Sequence, residues 1–141
     1  VKYMKSSYRI SPIGKKGSQY PSCWEMSVKS WITRPTDETG TVKAGNVQIV
    51  GVAMGGTKKV RSVKVSIDGG QSWQKAKFVG PDLGKYAWRQ FVFEANLAPG
   101  SYNLASKASA GGKTQPELRY ENRRGYAHNG WKDHSVNIKA V

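Results

Sequence analysis

Apolar and polar residues alternate over short stretches of this 141-residue chain, with the period of two that is typical of half-buried β-strands. The clearest stretch is residues 60–78, in which Val63, Val65 and Ile67 share one face. Residues 68–70, Asp-Gly-Gly, then interrupt the alternation. Because Asp and Gly tolerate the positive φ of a tight turn, the sequence predicts a β-hairpin here. A hairpin of this kind indicates a scaffold and not a catalytic site.

The second half of this stretch contains a conflict of register. Trp73 and Phe78 are its large apolar residues, and they are an odd number of positions apart. Two such residues cannot both face the core of a regular strand, because side chains alternate between its two faces. The sequence therefore predicts a bulge or another irregularity between them.

Similar short stretches recur along the rest of the chain, separated by Gly, Pro and Asn turns. They lie at residues 26–33, 47–54, 87–96, 101–109 and 134–141. No stretch has the i, i+3, i+4, i+7 apolar spacing of an amphipathic helix. The pattern predicts an all-β protein, an immunoglobulin-like β-sandwich of about seven strands. The Cys…Trp…Cys spacing of antibody domains is missing, so only the architecture is implied.

The first 25 residues differ from this pattern. They have no sustained periodicity, but they carry scattered aromatic residues such as Tyr8, Tyr20 and Trp24. A free linker rarely contains so many aromatics. We therefore expect residues 1–25 to be an irregular lead-in that lies across a sandwich formed by residues 26–141. Since the chain begins with Val1, we expect it to be a piece of a longer or processed protein.

The charge of the chain is strongly basic, with 23 Lys and Arg against 9 Asp and Glu, a net charge of +14. Such a charge permits binding to nucleic acid, to a membrane surface or to a small anion. The basic residues are spread along the chain and match no nucleic-acid-binding motif. A solvated surface is therefore favoured, followed by attraction of small anions, with nucleic acid third. No apolar run approaches the length of a membrane span.

Residues that usually carry chemistry are few and dispersed. The two histidines, His128 and His134, and the one cysteine, Cys23, do not have the spacing of a metal site. No nucleophile elbow, paired carboxylates or phosphate-binding loop is present in the sequence. We therefore expect hydrogen-bonded or exposed histidines, a packed thiol, and no catalytic or metal-binding centre in this chain.

The unusual segment is residues 113–132, a loop of about twenty residues, which is long for a compact sandwich. It concentrates arginines and aromatic residues: Arg119, Tyr120, Arg123, Arg124, Tyr126 and Trp131. The planar fork of Arg suits an oxyanion, so the loop is a candidate anion site. The alternative is a solvated basic loop whose aromatics hold it to the edge of the sandwich. Composition alone favours this second interpretation.

Read in serial order, seven stretches carry a family resemblance: VKSWITRP, GNVQIVGVAMGG, VKVSIDGGQSW, YAWRQFVF, YNLASKAS, KTQPE and ENRRGYAHNGW. Together they resemble the C-terminal dimerisation domain of the sulfite oxidase family of molybdenum enzymes. The lead-in YMKSSYRI resembles the join to the preceding cofactor domain, as in bacterial sulfite and sulfane dehydrogenases. The resemblance covers essentially the whole chain.

The resemblance implies an immunoglobulin-like domain that forms a homodimer and follows a molybdopterin domain. The holoenzyme would oxidise sulfite or a related sulfur compound and pass electrons to a cytochrome or haem, in the periplasm. The cysteine that binds molybdenum would lie upstream, and Cys23 does not match it. The resemblance therefore implies that this chain alone binds no molybdenum cofactor and catalyses nothing.

The resemblance also implies one substrate-binding residue. In the family, an Arg in a motif similar to Trp-Asn-Leu-Arg-Gly reaches the anion pocket beside the metal. The matching residues 121–125 read Glu-Asn-Arg-Arg-Gly and put Arg124 at that position. Because Arg123 stands where the family has Leu, the sequence leaves open which of the two arginines points inward.

A function of another class remains open. The chain could be a free-standing basic sandwich that binds anionic glycans or nucleic acid. A discrete dimer, or a folded monomer with weak self-association, without specific polyanion binding would favour the dimerisation domain. Saturable polyanion binding would favour the free-standing module.

Overall fold

The structure, a computed structural model, describes residues 4–141, so residues 1–3 of the expected lead-in lie outside the described part. Ten strands form the fold: β1 Lys29–Arg34, β2 Thr41–Val42, β3 Gly45–Met54, β4 Ser62–Ser66, β5 Gln74–Lys75, β6 Lys77–Val79, β7 Arg89–Leu97, β8 Gly100–Ala110, β9 Lys113–Thr114 and β10 Val136–Ala140. Two short 3₁₀ turns lie at Gly17–Gln19 and Lys132–His134. The predicted all-β class is confirmed.

The strands form two sheets that pack face to face. The smaller sheet has the order β1-β3-β7-β6, and the larger has the order β2-β10-β8-β4-β5 with β9 added beside β8. Neighbouring strands are antiparallel, except that β10 and β2 are parallel. The predicted immunoglobulin-like sandwich is confirmed. Ten strands replace the expected seven because the second half of the hairpin divides into β5 and β6, and because β2 and β9, with two residues each, are too short for a periodic pattern.

The core lies between the two sheets and is filled by alternate residues of the long strands. On the last strand, Val136, Ile138 and Ala140 are all buried, as the alternation predicts. Phe91 of β7 is completely buried and lies across Gly51 of β3, where any Cβ would collide with its ring. Gly51 is therefore required by the packing of this aromatic ring.

The predicted hairpin is confirmed. Strands β4 and β5 pair in antiparallel register, with Lys64 opposite Lys75. In the turn, the Asp68 carboxylate accepts hydrogen bonds from the Ser66 hydroxyl at 2.6 Å and from the backbone N–H of Ser72 at 2.9 Å. The Ser66 and Ser72 hydroxyl donors hold the pKa of the Asp68 carboxyl below its usual range. The turn is thus fixed by an ionised carboxylate.

The conflict between Trp73 and Phe78 is resolved by a change of sheet. Strand β5 pairs with β4 in the larger sheet, and β6 pairs with β7 in the smaller one. The buried Ala76 lies between β5 and β6. Trp73 lies beside Lys107, whose Nζ is 4.0 Å from its ring centroid, while Phe78 packs against the core. The predicted irregularity is therefore a crossing from one layer to the other.

No helix in the described part of the chain has the length and apolar character needed to cross a bilayer.

Candidate anion site

The candidate loop, residues 113–132, is attached to the sandwich at its root by a buried glutamine. Gln115 is 2% exposed. Its Oε1 accepts hydrogen bonds from the backbone N–H groups of Ser30, at 2.8 Å, and Ala108, at 3.2 Å. Its Nε2 donates to the carbonyl oxygen of Ser30 at 3.1 Å. One side chain thus joins β1 of one sheet to β8 of the other and fixes where the loop begins.

The far end of the loop is held by Trp131. Its backbone N–H donates to the carbonyl oxygen of Pro116 at 2.9 Å, which closes the loop on itself. Its buried ring packs edge-on against Trp73, with 5.0 Å between ring centroids. Trp131 therefore holds the loop to the edge of the sandwich, as expected for a solvated basic loop that is anchored by its aromatic residues. Tyr120 has no such role, since it is 63% exposed.

The tip of the loop is built by Asn122, which is buried although it lies between charged residues. Its Oδ1 accepts hydrogen bonds from the N–H groups of Arg124, at 3.3 Å, and Tyr126, at 2.9 Å. Its Nδ2 donates to the carbonyl oxygen of Tyr126 at 2.7 Å. Gly125 completes the turn with a φ of +69°, which favours glycine.

This tip lies against the N-terminal segment. The backbone N–H of Arg123 donates to the carbonyl oxygen of Ser11 at 2.8 Å, and Ser11 is 1% exposed. The Tyr8 and Tyr126 rings stack with 5.9 Å between their centroids. The two arginines are therefore held at the side of the domain where residues 8–11 pass.

The three arginines of the loop have different surroundings. Arg119 forms an ion pair with Glu121 at 2.6 Å. The Arg123 Nη1 is turned back toward the lead-in and makes a long contact of 3.5 Å with the carbonyl oxygen of Lys15. Arg124 is exposed, and its guanidinium makes no hydrogen bond or ion pair within residues 4–141. Arg124 is thus the arginine of this loop that is free to meet an anion.

The two histidines lie together, which their positions in the sequence did not predict. Their ring centroids are 4.9 Å apart, and His128 Nε2 is 2.8 Å from a carboxylate oxygen of Asp133. The half-buried Cys23 belongs to the lead-in, where its N–H donates to the carbonyl oxygen of Tyr8. Within residues 4–141, no three His, Cys, Asp or Glu side chains are grouped to hold a metal ion.

His134 leads to a prediction on pH. Burial, then the charges of Lys29 and His128, lower its pKa, and Asp133 opposes them. The unfolded chain, with a His pKa of about 6.5, therefore binds the proton more readily. We expect the contribution of His134 to be complete above that value and to be lost as the pH falls toward its lower folded-state pKa. Urea unfolding of the wild type at pH 7.5 and 5.5 should show lower stability at pH 5.5.

The control for this prediction is His134→Phe, which removes the titrating ring and keeps an aromatic side chain beside Trp31, 6.3 Å away. We expect a smaller difference in stability between the two pH values for this variant. An equal difference in both proteins would show that His134 is not the group responsible.

Residues 20–140 match the family described as the Mo-co oxidoreductase dimerisation domain. The chain belongs to this family. Mitochondrial sulfite oxidases of Homo sapiens and Macaca fascicularis are each 38% identical to this dimerisation domain over 127 residues. These matches cover 84% of this chain but only 23% of each relative.

The fold of the dimerisation domain agrees with a solved structure. The sulfane dehydrogenase SoxCD from Paracoccus pantotrophus matches it with a TM-score of 0.76 and 25% sequence identity. That match covers 100% of this chain and 39% of the other. The family and fold implied by the seven sequence stretches are confirmed.

Proposed function

We propose that this dimerisation domain belongs to a molybdenum-dependent enzyme that oxidises sulfite or a related sulfur compound. In that enzyme it holds two copies together and completes the substrate pocket through Arg124. The relatives that share 38% identity are sulfite oxidases, and the matching structure is a sulfane dehydrogenase. The sulfur compound itself, the cytochrome or haem that accepts the electrons and a periplasmic location are parts of the proposal.

The observation that carries the pocket proposal is the turn made by Asn122. It binds the backbone N–H of Arg124 and leaves the guanidinium of this residue without a partner in the described residues, while the Arg123 side chain contacts Lys15 of the N-terminal segment. A sulfur oxyanion leaving water needs charge-assisted hydrogen bonds, and a guanidinium supplies two in one plane. Arg124 would therefore orient the anion and balance its charge.

The molybdenum cofactor would lie in a domain upstream of residues 4–25, which we propose as the connection between the two domains. When bound, that cofactor supplies the two-electron oxidation of the sulfur atom. The part of this chain is to position the anion through Arg124 and to keep the Asn122 turn against the connecting segment through Ser11 and Tyr8.

The test uses the intact protein that contains this chain. We expect it to oxidise sulfite in the presence of an artificial one-electron acceptor, and light scattering should give the mass of a dimer. A dimer that oxidises neither sulfite nor a related sulfur compound would contradict the substrate proposal, and an active monomer would contradict the proposed homodimer.

A second candidate function rests on a row of lysines on the larger sheet. Lys64 lies directly opposite Lys75 on one side and Lys107 on the other, and burial followed by the charge of Lys64 lowers the pKa of Lys107. Like charges in this arrangement are destabilising unless an anion covers them. Saturable binding to heparin or DNA that persists at physiological salt would support a polyanion-binding module, whereas weak, salt-sensitive binding would reject it.

A further inference from the structure

Three lysines form a row across the outer face of the larger sheet. Lys64 of β4 lies directly opposite Lys75 of β5 on one side and Lys107 of β8 on the other. Neighbouring strands are about 4.8 Å apart, so the row spans about 10 Å. Lys64 and Lys75 are exposed, and Lys107 is half-buried. We call this surface, formed by Lys64, Lys75 and Lys107, the lysine row.

The charge of the lysine row is not compensated within the domain. In residues 4–141, none of its side chains forms an ion pair with a carboxylate. Two carboxylates lie near other parts of the same sheet, and both have their own contacts. Asp68 accepts hydrogen bonds within its turn, and Asp37 accepts one from the N–H of Asn137 on β10 at 2.6 Å. Since like charges directly opposite destabilise a sheet, the row is a surface that an anion would stabilise.

The position of one of these cations is fixed by aromatic side chains. The Nζ of Lys107 is 4.0 Å from the centroid of the Trp73 ring. That ring is itself held, because its Nε1 donates to the carbonyl oxygen of Gly70 at 2.9 Å and because it packs edge-on against Trp131. A flexible lysine loses side-chain freedom when it binds an anion. In Lys107 part of that loss has already occurred, which favours binding.

A row of hydroxyl groups lies beside the lysines. Ser62 and Ser109 are two positions from Lys64 and Lys107 on their strands, so these side chains share one face. Thr114 of β9 lies opposite Ser109, and their hydroxyl oxygens are 2.9 Å apart. Ammonium and hydroxyl groups both donate hydrogen bonds to carboxylates. This part of the sheet therefore presents donors suited to acidic side chains.

We propose that the lysine row binds the acidic surface of a partner protein. The proposal goes beyond the function proposed above, because it depends neither on the sulfur substrate nor on Arg124. Complementary charge steers a partner toward such a surface and orients it there. Glutamates at positions i, i+3 and i+7 of a helix lie on one face over about 10 Å, which matches the length of the row.

The length of the row favours a protein over nucleic acid or a glycan, the anions of the second candidate function. Proteins that hold DNA at physiological salt commonly contact about 6 to 10 phosphates, and each contact adds about −0.9 to the salt slope. A row of this length neutralises about three phosphates, so polyanion binding through it would be lost as salt is raised. An acidic protein adds hydrogen bonds to the hydroxyl groups and packing around Trp73.

The test measures binding of a designed acidic helix to the intact protein that contains this chain, by fluorescence anisotropy at low salt. The probe is a labelled, alanine-based peptide of about 20 residues with glutamates at i, i+3 and i+7 along one face. The row variant combines Lys64→Gln, Lys75→Gln and Lys107→Gln. The control variant loses the same charge at exposed lysines elsewhere: Lys16→Gln, Lys43→Gln and Lys85→Gln.

We expect the row variant to bind the peptide at least about 10-fold more weakly than the wild type, which corresponds to about 1.4 kcal/mol. The control variant should bind within about twofold of the wild type, since the effect depends on position and not on net charge. Circular dichroism melting checks the fold of both variants. If the row variant unfolds, the exposed pair Lys64→Gln and Lys75→Gln decides the outcome with the same expected direction.

Equal weakening in the two variants, or no binding by the wild type, would overturn the proposal. Equal binding of an isomeric peptide whose glutamates are spread around the helix would also overturn it, because the row would then recognise charge alone. Binding of a short DNA duplex that depends on the lysine row and persists at physiological salt would replace the protein partner by a polyanion.

Discussion

Replacing Gln115 by leucine should lower the free energy of unfolding by about 3 to 5 kcal/mol. The substitution leaves the N–H groups of Ser30 and Ala108 without their acceptor and the carbonyl oxygen of Ser30 without its donor. Each buried polar group left unpaired costs about 1 to 3 kcal/mol. Leucine fills a similar volume, so the loss arises from the missing hydrogen bonds and not from a cavity.

Denaturant unfolding measures this effect, and the midpoint should fall while the slope m stays constant. The matched control is Gln74→Leu on β5, where the glutamine is exposed. Surface substitutions of this type usually change stability by less than about 0.5 kcal/mol. A loss below 1 kcal/mol for Gln115→Leu would show that ordered water or relaxation of β1 replaces the amide.

In the proposed enzyme, Arg124→Met should raise KM for sulfite about 100-fold, since a hydrogen bond to a charged group is worth about 1.5 to 3 kcal/mol. Methionine keeps much of the length of the side chain and removes the charge. The turn itself should persist, because Asn122 binds the backbone N–H of residue 124 and not its guanidinium. Steady-state kinetics with sulfite over a concentration range checks this prediction.

Arg123→Met is the matched control for that experiment. It removes the long contact between the guanidinium and Lys15 but keeps the backbone hydrogen bond to Ser11. We expect KM to change by less than about fivefold, since an exposed contact of this kind contributes little. Similar KM values for the two variants would reject the assignment of Arg124, and a larger effect of Arg123→Met would reverse it.

The parts of the fold that sequence reasoning predicted are those governed by local alternation. The inward positions Val63 and Val65 of β4, and the last strand with Ile138, follow from a period of two. The Asp-Gly-Gly turn at residues 68–70 was predicted from backbone preferences that operate within a few residues. In both cases the information lies inside the element itself.

The change of sheet at Ala76 could not be predicted in the same way. The parity of Trp73 and Phe78 showed that the strand had to be interrupted, but it did not show how. Whether β6 pairs with β4 or with β7 depends on hydrogen bonds to a strand outside the element itself. Local pattern carries no signal for that choice.

In the candidate site, too, sequence reasoning reached the residues with a local motif and missed those that depend on distant contacts. Arg124 is proposed from a five-residue match to a family motif, and its contacts differ from those of Arg123. The roles of Asn122 and Gln115 were missed. An Asn three residues before a Gly is a possible signal for the turn. Gln115 binds Ser30 across 85 positions in sequence, a contact that no local pattern records.

The crossing at Ala76 has a mechanical consequence for the sandwich. Since β5 and β6 belong to different layers and only this residue separates them, the layers cannot slide apart at that margin without breaking strand pairing. Relative motion must then be taken up at the opposite margin of the smaller sheet, where the Gln115 amide spans the gap. The base of the candidate loop, residues 113–132, is attached at the place where such motion would be greatest. The hydrogen bonds of the Gln115 amide therefore limit how far the loop can move relative to the sheets.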